Sequence, residues 1–84
     1  MGKKLYVGKL AYSVTSDELG NLFSQYGDVV DAIVVNDKYS GRSKGFGFIE
    51  FNEAEEASKA MEALNGNEYG GRTLKIDFAR DKNS

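Results

Sequence analysis

The stretch Lys44-Gly45-Phe46-Gly47-Phe48-Ile49-Glu50-Phe51 puts aromatic side chains on both faces of one short extended segment. Side chains in a strand alternate between faces, so Gly47, Ile49 and Phe51 point one way and Phe46, Phe48 and Glu50 the other. The glutamate argues that the Phe46/Phe48 face meets water. Two exposed rings on a rigid sheet offer π-faces rather than bond-making groups. Flat ligands stack on such faces, and nucleobases are the commonest flat ligands.

Bond-making chemistry lacks its usual residues. With no His and no Cys, the common general base, the activated thiol and most transition-metal sites are missing, and so are disulfides. The thirteen Asp and Glu residues are scattered over predicted helix surfaces and loops, with no compact cluster. Neither an enzyme activity nor a cofactor is expected.

At 84 residues, 40% hydrophobic and 29% charged, the chain fits one globular domain with a core over about residues 4–80 and short flexible ends. Such a domain buries roughly 60–65% of its unfolded surface. No apolar stretch approaches the ~20 residues of a membrane span. Met1-Gly2-Lys3-Lys4 leads directly into a strand instead of a signal peptide. Tyr6 stands where a myristoylation signal requires Ser or Thr. The expected address is intracellular: the cytoplasm or, in a eukaryote, the nucleus.

Six elements must position the rings. Leu5 and Val7 alternate with Lys4, Tyr6 and Gly8, which makes a first strand with Tyr6 facing outward. Thr15-Ser16-Asp17-Glu18 has capping-box spacing. Leu19, Leu22, Phe23 and Tyr26 then form one apolar helical stripe, with Gly27 as a left-handed stop. Val29 to Val35 is β-branched and reads as a strand. Asn36 to Ser43 is a polar loop leading to the phenylalanine strand. Asn52-Glu53-Ala54-Glu55 repeats the cap for a second helix with Ala54, Ala57, Ala60, Met61 and Leu64 inward, ended by Asn65-Gly66. Gly70-Gly71 is a tight turn, and Thr73 to Phe78 alternates as the last strand.

The order β-α-β-β-α-β is the ferredoxin-like split βαβ of the α+β class, a four-stranded antiparallel sheet with two helices on one face. Its other face is left bare, and Tyr6, Phe46 and Phe48 are predicted to lie there. Ile33 and Val35 join them in only one of the registers open to the strand after Val30. Gly45 and Gly47 fit strand twist, close backbone approach or, the reading preferred here, room for a ligand.

Lys44 to Phe51 resembles the octamer of the RNA-recognition motif family at every position, with Ile49 for the usual Val. Leu5-Tyr6-Val7-Gly8-Lys9-Leu10 is similar to the family's hexamer, about forty residues upstream. The resemblance covers roughly residues 4 to 80, including Asn65-Gly66 and Gly71-Arg72-Thr73-Leu74. It implies a monomeric partner of single-stranded RNA, with single-stranded DNA as a second candidate. It further implies that Tyr6 and Phe48 each stack under a base, that Phe46 packs against sugars, and that Lys44 pairs with a phosphate. Ala79, Arg80 and the tail to Ser84 would close over the bases. Lys9 departs from the commoner Asn, adding a cation that cannot accept a hydrogen bond.

The net charge of −2 gives no global attraction to phosphate. The helix windows 16–26 and 53–64, however, hold six acids against Lys59 alone, leaving ten basic and seven acidic residues elsewhere. Lys4, Lys9, Arg42, Lys44, Lys75 and Arg80 are expected to line or rim the aromatic face, opposed there by Asp31, Glu50 and Asp77. Stacking at ~1–3 kcal/mol per base and a few phosphate contacts predict roughly micromolar affinity. The rival reading is a protein- or peptide-interaction module of the same fold, although such modules usually lose the octamer aromatics. An acylphosphatase-like enzyme needs an anion cradle that Lys9-Leu10-Ala11-Tyr12-Ser13 does not offer.

Overall fold

The computed structural model describes residues 3–79. Its elements are β1 (Lys4–Gly8), α1 (Ser16–Phe23), β2 (Val29–Asn36), β3 (Ser43–Phe51), α2 (Ala54–Leu64), β4 (Glu68–Tyr69), β5 (Arg72–Thr73) and β6 (Lys75–Phe78). The main sheet is antiparallel in the order β2-β3-β1-β6, with β4 and β5 forming a separate small hairpin. Leu5, Val7, Val34, Ile49, Phe51 and Ile76 turn their side chains to one face and are buried there with Leu19, Phe23, Ala57, Ala60 and Leu64 of the helices. Phe23 and Phe51 meet with ring centroids 6.3 Å apart. Both helices therefore cover the same side, as the element order requires.

The first cap forms as the spacing predicts. Glu18 N donates to Thr15 Oγ1 at 3.2 Å, and Thr15 N donates back to Glu18 Oε1 at 3.1 Å. The far end of α1 differs from expectation. The helix stops at Phe23, with Ser24 N donating to Gly20 O, and Gly27 is not left-handed. What demands glycine there is space, because a Cβ would lie 2.5 Å from Glu56 Cβ.

Glu56 explains a second shift. The cap of α2 sits one residue later than the Asn52/Glu55 pairing: Glu53 is the N-cap, and its N–H donates to Glu56 Oε1 at 3.1 Å. The other oxygen, Oε2, accepts from Asp28 N at 3.0 Å. One carboxylate thus holds the start of α2 and the approach to β2 together, across the gap that Gly27 leaves.

The last strand is also interrupted. Leu74 turns its buried side chain inward while its backbone bonds sideways, N to Asn67 O at 2.8 Å and O from Gly66 N at 2.9 Å. That break frees Arg72-Thr73 to pair with Glu68-Tyr69 around Gly70 (φ 62°) and Gly71 (φ 85°), a turn in which both central residues need positive φ.

Glu56→Ala removes two hydrogen bonds to backbone donors at once. It is expected to lower unfolding stability by about 1–3 kcal/mol, read as a lower urea midpoint at unchanged slope. A midpoint equal to wild type would deny Glu56 its bridging role.

Candidate nucleic-acid interface

Register sets what the uncovered face displays. Ile33 lies opposite Phe48, Phe48 opposite Tyr6, and Tyr6 opposite Asp77, so one row crosses all four strands. The row beside it runs Asp31, Glu50, Lys4, and on the other side Lys75 stands opposite Gly8. Ile33 is 49% exposed, which resolves the register left open after Val30. Val34 is buried beneath the sheet and Val35 alternates to the open face.

Tyr6, Phe46 and Phe48 come together as one cluster opposite the helices. Each is half-buried because it packs on the others. The Tyr6 and Phe46 rings are nearly parallel, planes 14° apart with centroids at 5.7 Å. Phe48 stands edge-on to both, at 79° and 89° with centroids at 6.0 Å. Lys4 Nζ sits 5.3 Å from the Phe48 ring centroid, a cation–π distance.

Glycines shape this cluster in ways that correct the ligand-room reading. A Cβ on Gly47 would collide with Ile33 O and crowd Leu19 on the covered side, so Gly47 serves the close approach of β2 to β3. Gly45 has φ +83° inside the irregular pairing between Val34/Gly47 and Asn36/Ser43, and its O accepts from Leu10 N at 2.8 Å. The glycine that does open space on the aromatic side is Gly8. A Cβ there would lie 2.8 Å from Tyr6 Oη and 3.0 Å from Tyr6 Cε2, so the Tyr6 ring leans over it.

The predicted cations do not spread evenly over the face. Lys9, Arg42 and Lys44 are exposed at one end of the strands, and Lys75 is exposed at the same end on β6. The opposite end carries the Asp31–Glu50 pair with Lys4. Arg80 lies outside the described residues. Lys9 adopts φ 57°, a left-handed conformation unusual for a side chain of its kind and better suited to Asn. A cleft of about 1020 Å³ runs between the β1–α1 and β2–β3 loops, with Phe46, Arg42, Lys44 and Tyr12 among its walls. Sequence reasoning passed over Tyr12, which is 69% exposed and lies against Gly45. Only the loop contact marks it.

At the loop tip, Asp37 Oδ1 accepts from Tyr39 N at 2.8 Å and Ser40 N at 3.0 Å. These backbone donors, Ser40 foremost, hold the Asp37 carboxyl below its ordinary pKa.

The family model of the RNA recognition motif matches residues 5–75. This chain belongs to the RNA recognition motif family. Glycine-rich RNA-binding protein 3, mitochondrial, of Arabidopsis thaliana is 46% identical over 81 residues, covering 96% of the chain and 26% of that protein. Small RNA-binding protein 11, chloroplastic, of the same plant is 44% identical over the whole chain and 58% of its own length. The chain therefore spans between about a quarter and three-fifths of these two relatives. Among solved structures, RNA binding protein PG1 superposes with a TM-score of 0.92 at 40% identity, covering 95% of this chain and 96% of that one. The Rna15 RRM with bound RNA (GU) gives 0.87 at 33% identity over 96% and 86%. The organelle names of the two plant relatives lend the expected cytoplasmic address no support. Among the described residues no helix is long and apolar enough to cross a membrane.

Two outcomes follow for this RNA recognition motif domain. In Gly8→Ala the clash falls on the far end of a flexible side chain, so the Tyr6 ring should rotate while the fold survives. Ring-current shifts at Phe46 would change with little movement of the melting temperature; unchanged shifts would refute the close approach. Asp37, with its lowered pKa, steadies the loop above the ordinary carboxylate range and loses that effect as pH falls through the lowered value. Protection factors of the Tyr39 and Ser40 amides, corrected for the intrinsic pH dependence of exchange, should fall there, and protection that persists in acid would contradict this.

Proposed function

We propose that this domain binds single-stranded RNA, without catalysis, by stacking unpaired bases on Tyr6, Phe46 and Phe48. The observation that carries the reading is the ring cluster itself, three aromatic side chains gathered on the face that no helix covers. A base laid on Tyr6 runs nearly parallel to Phe46. A base laid on Phe48 is splayed from it unless that ring turns. Single strands satisfy such geometry because their bases rotate independently, whereas duplex RNA hides its π-faces. The names of the relatives as RNA-binding proteins, and the RNA bound by the Rna15 RRM, support the same reading.

Phosphates fall to Lys9, Arg42 and Lys44, with Arg80, which lies outside the described residues, as a further candidate from its charge. The position of Lys9, Arg42 and Lys44 at one end gives the bound strand a preferred direction of exit. Three or four such contacts imply a log–log salt slope of about −2 to −3 for a single strand. Stacking and these contacts together set an affinity around micromolar for the monomer, with single-stranded DNA as the second candidate ligand.

The test is a titration of labelled single-stranded RNA and DNA against wild type and a Phe46→Ala/Phe48→Ala variant at several salt concentrations. Loss of two stacking rings should weaken binding about 30-fold or more while the circular dichroism spectrum stays native. Undiminished RNA binding by the variant would reject the platform and turn attention to a peptide ligand.

A further inference from the structure

The β6 edge of the open face carries groups that phosphate binding does not explain. Ile76 is buried, so Lys75 and Asp77 both project to the aromatic side, Asp77 directly opposite Tyr6. A cavity of about 540 Å³ opens there between Tyr6, Phe48, Lys75, Asp77, Phe78 and Ala79, room for one nucleotide. Asp77 Oδ1 accepts from Phe78 N at 2.9 Å, which fixes the carboxylate in place. A carboxylate repels a phosphodiester. Its use to a bound strand must come from the base.

The two charged walls differ in kind: a carboxylate only accepts hydrogen bonds and an ammonium only donates them. Uracil offers one N–H between two carbonyls. Adenine and cytosine each offer an amino group beside a ring acceptor. Guanine alone presents two adjacent donors, N1–H and N2–H, next to one acceptor, O6. We propose that this cavity is a guanine subsite, in which the base stacks on Tyr6, Asp77 accepts from N1–H and N2–H, and Lys75 donates to O6. The assignment rests on the RNA-binding reading of the same face.

Fluorescence polarisation with the hexamers UUUUUU and UUUGUU, and with inosine in place of the guanosine, tests it. Wild type should prefer the guanosine hexamer over hexauridine by about tenfold, the size of one charge-assisted hydrogen bond. Inosine, which lacks the 2-amino group, should lose most of that preference. Asp77→Asn is an exposed substitution that keeps an oxygen for Phe78 N. It should bring the guanosine-to-uridine ratio to within about twofold of unity. Loss of a negative charge alone would raise affinity for both hexamers and leave their ratio unchanged, so the ratio separates base reading from plain electrostatics. RNA bound without a guanosine preference, or with one that survives Asp77→Asn, overturns the subsite alone. No binding of any hexamer by wild type overturns the stacking platform, and the subsite with it.

Discussion

The two-residue period of an extended chain, locked in one register across β2-β3-β1-β6, is the constraint on which the rest depends. A slip of β3 by one residue would expose Ile49 and Phe51 and drive Phe46 and Phe48 under the helices. Several contacts forbid the slip. Phe51 is anchored against Phe23, and Gly47 is the one position whose lack of a side chain lets β2 approach so closely. Irregular pairings between Val29 and Asp31 and between Val34 and Asn36 bracket the regular stretch. Core packing on one side therefore decides, with no contact of its own on the other, which rings stand in the open.

Local pattern made the architecture legible before any coordinates. Alternation in Lys44 to Phe51, the Thr15/Glu18 cap and the left-handed Gly66 are each settled within a few neighbours. Misreadings fall where a distant residue intervenes. Gly27 looks like a helix stop but is reserved for a glutamate 29 positions away in sequence, and the same glutamate moves the cap from Asn52 to Glu53. Gly45 and Gly47 look like space for a ligand, yet one relieves a loop crossing and the other a strand contact. Leu74 fits the alternation of a longer strand, but only the hydrogen bonds to Gly66 and Asn67 show that the ladder breaks there.

The site was legible to a similar depth. Hexamer and octamer spacing located Tyr6, Phe46 and Phe48 correctly on one face, because strand period alone determines facing. Relative ring angles and the lean of Tyr6 over Gly8 depend on side-chain packing and leave no trace in spacing. Charge was the hardest to read. Summing residues made the sheet side mildly basic, whereas pairing places Asp31 beside Glu50 and Lys4 at one end and gathers Lys9, Arg42, Lys44 and Lys75 at the other.

That uneven charge bears on whether the uncovered face would pair with a copy of itself. Three rings exposed side by side invite self-association, yet here each ring hides part of its neighbours and carboxylates stand at the margins of the cluster. Like charges placed directly across strands, as in Asp31 and Glu50, cost stability. Nothing in the core calls for them, since their side chains lie on the side away from it. Their repulsion acts equally on a second copy of the same face and on a phosphate backbone, so Coulomb attraction cannot be what holds a nucleic acid over the middle of the sheet. On the proposed reading, affinity there comes from stacking and from hydrogen bonds to base edges. On the same reading, cations kept to one end limit general attraction to polyanions, and the rings and polar groups in the middle are left to distinguish one unpaired base from another.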